Sequence, residues 1–320
     1  MYKRQLLTGS IPSQHGVHDW LRDDDERQSA LEYLAGQYSY TKALAENGYC
    51  CALSGKWHMG AAGKVQQGFT HWFSHKSGGG PYYGAPMYKD GKLYREERYV
   101  TDAITEDALE FLDTRKDTDQ PFYLHVAYTA PHAPWLNNHP KEYTDLYKDC
   151  PFHSVPHLPR HPDSIYLTDE VAQDERGNLI GYFAAVTAMD AGIGQILDKL
   201  EEMGIAEDTL VVYTADNGFS CGHHGFWGKG NATFPLNMYE ESVKVPFIVR
   251  HPGHIPAGVV CDCLVSAYDF MPTLLDYLGL KPSDDMERPG VSFAPALRGE
   301  AFDQHEELSL IHISEPTRRS

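Results

Sequence analysis

Three scarcities bound what this chain can be. No uninterrupted apolar run approaches the ~20 residues of a membrane-spanning helix, and the opening residues show no signal-peptide pattern. Basic residues are few: 27 Lys and Arg face 45 Asp and Glu, a formal charge of -18 that would repel a phosphate backbone and so excludes an ordinary nucleic-acid binder. A lysine that holds an anion must then be a local exception to the overall field. Cysteine is sparse too. The six (Cys50, Cys51, Cys150, Cys221, Cys261 and Cys263) contain no CxxC pair, which indicates neither a zinc knuckle nor a dense disulfide framework and leaves the redox compartment open. Internal repeats and low-complexity segments are also absent.

What is present, 320 residues at 42% hydrophobic, suits one large core or one core with the beginning of a second. Helical spacing runs through residues 29–47 (Leu31, Leu34, Tyr38, Thr41, Leu44) and stops at Gly48. It returns in 101–115 (Ile104, Ala108, Phe111, Leu112), in 168–203 (Tyr182, Val186, Met189, Ile193, Leu197, Leu200) and in 269–278. Short apolar runs at 49–54, 121–128, 210–214 and 244–250 predict strands, the last at an edge or strand start because of Pro246. Residues 6–17 read as a helix end entering a loop, and 19–27 as a charged surface stretch. Glycine and aromatics from 60 to 94 predict a long loop or insertion, and Pro and His from 136 to 165 predict a rim or lid loop. Alternating helices and strands predict an α/β fold: a mostly parallel central sheet with helices on both faces.

The chemistry gathers beyond the strand ends. Gly55-Lys56-Trp57-His58-Met59-Gly60 follows a buried strand, and in extended backbone Lys56 and His58 share a side while Trp57 turns into packing. His132 follows the next strand in Ala130-Pro131-His132-Ala133-Pro134. Asp216 and Asn217 close a third strand as two adjacent hard-oxygen donors suited to a divalent cation, with Lys229 nearby. Taken singly, each has an ordinary explanation: a surface lysine, a satisfied histidine, or a turn at Asp-Asn-Gly. His223 and His224 read as loop decoration.

Taken in order, these segments resemble the sulfatase family of the alkaline phosphatase superfamily. The likeness runs through Leu6-Leu7-Thr8-Gly9, His15-Gly16-Val17, Gly48-Tyr49, Gly55-Lys56-Trp57-His58, Pro131-His132-Ala133-Pro134 and Asp190-Ala191-Gly192-Ile193-Gly194. It continues in Thr214-Ala215-Asp216-Asn217-Gly218, Trp227-Gly228-Lys229-Gly230 and Val245-Pro246-Phe247-Ile248-Val249-Arg250. The resemblance implies an alkaline phosphatase-like fold, a sulfuric ester hydrolase, and a sulfated carbohydrate or aryl sulfate as substrate. It implies Lys56, His58, His132 and Lys229 as catalytic groups, with Lys56, His132 and Lys229 holding the sulfate. Asp216 and Asn217 become ligands to Ca2+ or Mg2+. A periplasmic or secreted protein is implied as well.

One departure outweighs the matches. The family's nucleophile, a formylglycine made from Cys or Ser in a CxPxR motif just before Leu-Leu-Thr-Gly, would fall before Met1. None of the six cysteines is followed by xPxR, and Ser10-Ile11-Pro12-Ser13-Gln14 imitates the motif in the wrong place. Residues 1–5 and 308–320 translate a transposon end of the kind used in sequencing-library preparation, which predicts adapter-derived tails that do not pack. The sequence then divides into a catalytic domain at 6–287, lacking its first strand and nucleophile segment, and the start of a C-terminal subdomain at 288–307. Phosphodiester or phosphonate ester hydrolysis is the alternative within the superfamily. A catalytically inactive sulfated-glycan binder is the alternative outside enzymes.

Overall fold

The computed structural model describes residues 2–17, 30–165, 167–302 and 305. The charged stretch at 19–27 and the tail at 308–320, with Ile311 and Ile313, lie outside them. At the centre, β1 (Cys50–Lys56) is flanked in parallel by β2 (Phe69–His75) and β5 (Phe122–Ala127). An antiparallel hairpin of β3 (Ala85–Lys89) and β4 (Lys92–Glu96) extends the sheet past β2, giving the order β4-β3-β2-β1-β5. β1 is buried almost throughout, as an inner parallel strand covered on both faces must be.

The stretch at 60–94 is therefore not one long loop, since it supplies three strands. Two signals marked them: the aromatic run Phe69, Trp72 and Phe73, which is buried, and Asp90-Gly91. Both turn residues have positive φ (53° and 72°), the two-residue turn that matches strand twist. A second pair, β6 (Val211–Thr214) and β9 (Phe247–Arg250), is antiparallel and forms a separate two-stranded sheet. β7 (Ser220–Cys221) and β8 (Trp227–Gly228) form a third.

Helices cover both faces. On one side α1 (Tyr2–Thr8), α2 (Tyr40–Glu46) and α5 (Phe270–Tyr277) pack through Leu7, Tyr40, Leu44 and Met271 against Leu53, Trp57 and Phe69. On the other, α3 (Val100–Asp113) and α4 (Glu175–Glu202) bring Ile104, Ala185 and Ala188 against Phe73 and Met87. The helix expected at 29–47 narrows to α2, because Ser39 is its N-cap, accepting from Lys42 N at 3.3 Å, and Gly36 (φ 75°) turns the chain before it. The pattern at 168–203 divides in the same way. Asp174 caps α4 by accepting from Gly177 N at 2.9 Å, which separates it from Leu167–Val171. α4 is long and apolar enough to span a bilayer by length and composition, but its Ala185 and Ala188 are buried against α3 and the sheet, as in a core helix.

The N-terminal expectation is corrected for the residues the structure describes. Lys3, Arg4 and Gln5 do not dangle. Arg4 and Gln5 are buried, and Arg4 Nη1 donates to His15 O at 3.0 Å. Arg288 Nε donates to Thr8 O at 2.7 Å, tying the far end of the chain to α1. Cys261 and Cys263 form a disulfide across one residue.

Two histidines packed into the fold, His139 buried and His125 partly buried, make it acid-sensitive. His125 Nδ1 lies 3.1 Å from Tyr123 OH and His139 Nδ1 lies 2.9 Å from Tyr99 OH. Burial holds the first down to about 3, with Lys3 adding to it, and the second down to about 4. An unfolded histidine titrates near 6.5, so below that pH the unfolded chain takes up protons that the fold refuses. Stability is expected to fall as pH drops from about 6.5 towards 4, by at most roughly 1.4 kcal/mol per pH unit and histidine. Urea midpoints at pH 7 and pH 5 measure this. His139→Asn should reduce the difference between them, and an equal midpoint at both pH values would contradict it.

Candidate active site

β1, β2 and β5 run in the same direction, so their carboxyl ends meet at one edge, the usual ligand edge of a parallel sheet. Gly55 makes the approach possible. Its φ is 114°, and a Cβ there would lie 2.1 Å from Ala127 O of β5. The next residue, Lys56, pairs with His75 of β2 and is buried.

Lys56 Nζ stands 3.9 Å from Asp216 Oδ2, beyond the end of β6. That is an ion pair but too long for a hydrogen bond, so both groups keep capacity for a ligand. Side-chain exposure is 8% for the lysine and 34% for the aspartate, which leaves the carboxylate within reach from outside. Burial pushes the Asp216 carboxyl up, but Lys56, Lys3 and Lys229 outweigh it and hold the group well below the usual carboxylate range. Asp216 is therefore ionised across the accessible pH range. Lys229 follows β8 and feels the same centre: burial lowers it to about 8, Lys56 adds to that, and Asp216 opposes it.

His132 completes the group. Its Nδ1 is 2.8 Å from Ala133 O, and since a carbonyl only accepts, Nδ1 carries the proton and Nε2 is left as the reactive nitrogen. Although the residue is exposed, neighbouring groups displace water from much of its ring, and this, then Lys56 and Lys229, lowers the imidazole to about 4. Tyr82 OH donates to His132 O at 2.8 Å and fixes the backbone. His58 arrives differently from the expectation. β1 ends at Lys56 and His58 has φ 52°, so strand alternation does not govern it. Trp57 does turn inward, edge-on to Phe69 and Trp72.

The sequence reading missed one residue in this centre. Lys3 Nζ donates to Lys56 O at 3.0 Å, and burial with Lys56 and Lys229 lowers its ammonium to about 7 against the pull of Asp216. Its signal was its place just ahead of Leu6-Leu7-Thr8-Gly9, discounted because those codons match a transposon end. Other residues fall outside the centre. His224 pairs with Glu241 at 2.9 Å and stacks on Tyr239, a packing role that accounts for it. Ser10 is fully buried with its Oγ on Thr8 O at 3.3 Å, which disqualifies it as a nucleophile here.

Asp216 and Asn217 are adjacent, and Asn217 Nδ2 donates to Gly218 O at 2.9 Å, leaving Oδ1 as the acceptor. Two oxygens fall short of the ~6 to 8 that calcium takes. Among the described residues no group of three or more His, Cys, Asp or Glu side chains is placed to hold a metal. Three ammonium groups crowd the same carboxylate, so these residues do not by themselves make a cation site.

The family model described as Sulfatase matches residues 4–280. An N-acetylglucosamine-6-O-sulfatase of Bacteroides thetaiotaomicron is 29% identical, over 92% of this chain and 61% of that protein. An N-acetylgalactosamine-6-sulfatase of Canis lupus familiaris is also 29% identical, over 92% of this chain and 56% of its own length. The chain thus spans somewhat over half the length of these curated relatives. A solved structure described as a complex with its substrate D-glucosamine-2-N,6-O-disulfate superposes with TM-score 0.76 at 25% identity, over 95% of this chain and 72% of that one.

Proposed function

The chain belongs to the sulfatase family, and on that premise we propose that its site takes the sulfate group of a sulfated carbohydrate, in a protein that hydrolyses the ester. The observation that carries this reading is the surplus of positive charge. In a chain of net charge -18, Lys3, Lys56 and Lys229 converge on a single carboxylate, and two of them are held so unfavourably that their affinity for protons drops. Such a centre is stabilised by a bound anion. The relatives named above act on 6-sulfated amino sugars, which supports a carbohydrate over an aryl sulfate.

Hydrolysis breaks the bond between sulfur and the bridging oxygen, and negative charge grows on that oxygen and on the equatorial ones. Lys56, Lys229 and Lys3 are assigned to the equatorial oxygens, where fixed ammonium groups stabilise the developing charge. His132 is assigned to the bridging oxygen. An anion beside it offsets the lysine fields and raises its pKa, so that Nε2 gains the proton the leaving alcohol needs. Asp216 and Asn217 would contribute two ligands to a divalent cation whose remaining ligands come from elsewhere. A formylglycine, which supplies a hydrated aldehyde as nucleophile, is assigned to sequence upstream of Met1.

Calorimetric titration of inorganic sulfate into the 320-residue chain tests the anion site. Binding is expected to weaken as pH rises through 7 to 9, because Lys3 (about 7) and Lys229 (about 8) lose their charge there. The drop should be on the order of tenfold. No binding, or binding indifferent to pH over that range, would remove the support for the site. Turnover of matched sulfate and phosphate esters by a version carrying the upstream segment then separates a sulfatase from a phosphoesterase.

A further inference from the structure

Gly78-Gly79-Gly80 has no part in the chemistry above, yet each of the three glycines faces an imidazole. A Cβ at Gly78 would lie 2.2 Å from His58 Cε1, one at Gly79 2.6 Å from His132 Nδ1, and one at Gly80 3.3 Å from His75 Cε1. The first two distances are shorter than carbon and nitrogen atoms tolerate; the third is only tight. The strip is itself anchored. Ser77 Oγ donates to Gly79 O at 2.9 Å and Ser77 N donates to His75 Nδ1 at 3.1 Å. Two residues beyond Gly80, Tyr82 is buried and donates to His132 O at 2.8 Å. The backbone at 78–79 therefore cannot retreat, and the imidazoles lie directly on it because no side chain intervenes.

We propose that Gly78 and Gly79 are positioning residues: the bare backbone of this strip sets the ring planes of His58 and His132, and at His132 it keeps Nδ1 on Ala133 O so that Nε2 faces the anion. What a methyl group at Gly79 would strike is the ring, the movable end of a side chain, so the expected response is rotation of the imidazole and not loss of the fold. Rotation breaks the Nδ1 bond to Ala133 O and removes the preference for one tautomer. The assignment of Nε2 to the anion rests on the proposed function; the effect on the ring does not.

Nitrogen NMR of the histidine rings in the 320-residue chain at pH 7.5 reads the tautomer directly. In the unaltered chain His132 should show one protonated nitrogen, Nδ1. Gly79→Ala should collapse that distinction at His132 and weaken sulfate binding on the order of tenfold. Gly80→Ala, facing His75 at a tolerable distance, should change neither. In the double variant Gly79→Ala with His132→Ala, sulfate should bind no more weakly than with His132→Ala alone, because the glycine acts through the ring. If Gly79→Ala fails to fold, Gly78→Ala tests the first contact instead: the ring signals of His58 should shift, and unchanged His58 signals would overturn the proposal. An unaltered His132 protonated at Nε2, or a Gly79→Ala chain that folds and keeps the Nδ1 tautomer, would overturn the proposal. Loss of the tautomer preference without any sulfate binding, even to the unaltered chain, would retain the positioning role and refute the anion site instead.

Discussion

Changing Lys229 or His132 to alanine, in a version of the protein that carries the upstream segment, lowers kcat/KM for a sulfate ester on the order of 10²- to 10³-fold. The magnitude follows from where these groups sit. Lys229 is half-buried and His132 is exposed, yet both feel the charge of Lys56, and donors fixed in advance on the reacting oxygens stabilise charge better than mobile water does. The two losses should differ in kind. His132→Ala removes the proton donor, so its effect should be large for a sugar alcohol and smaller for an acidic phenol, which leaves without protonation. Lys229→Ala removes a charge that serves any leaving group, so its effect should be similar for both. Lys64→Ala provides the control, since that side chain is exposed and pairs only with Glu32 in the described contacts. Losses below threefold at Lys229 and His132 would show that the two groups do not touch the reacting sulfate.

The 320-residue chain alone is expected to bind sulfate and yet to release none from an ester. Asp216 and Asn217 leave a calcium ion short of most of its ligands, so added calcium should bind weakly and leave turnover at background. No described group of the centre is expected to attack sulfur. Ser10, the residue whose neighbours imitate the formylglycine motif, is buried against Thr8. Water would have to attack in a site whose donors are arranged to hold the anion and not to activate a nucleophile. Sulfate release is followed by ion chromatography with and without calcium, before and after the upstream segment is restored. Calcium-dependent release by the chain as it stands would mean that the nucleophile lies within it, and Ser10→Ala would be the first variant to make.

Much of the architecture was legible because it rests on local patterns. The buried run before Lys56 and the spacing of Ile104, Ala108, Phe111 and Leu112 act within a few residues of themselves; the caps at Ser39 and Asp174 are equally local but went unread, so two helices were drawn too long. Where the reading failed, a local signal had been outweighed by composition. Glycine and aromatic content concealed three strands between 60 and 94, although Asp90-Gly91 marked the hairpin plainly. Lys3 was lost differently, set aside with the tail to which it was assigned, while the fold seats it on Lys56 O.

By itself the sequence determined the alternation of helices and strands, the positions at which a lysine, a histidine or a carboxylate leaves a strand, and the resemblance that joined them into one family. Those are properties of neighbours along the chain. Only the tertiary structure decided that Lys3, Lys56 and Lys229 share one carboxylate, that His132 is held as a neutral ring first by loss of water around it and then by Lys56 and Lys229, and that the chain at Gly78 and Gly79 lies against two imidazoles. Coulomb interactions and steric contact depend on distance through space, and residues more than 200 positions apart acquire such a distance only once the strands have paired and their carboxyl ends have met.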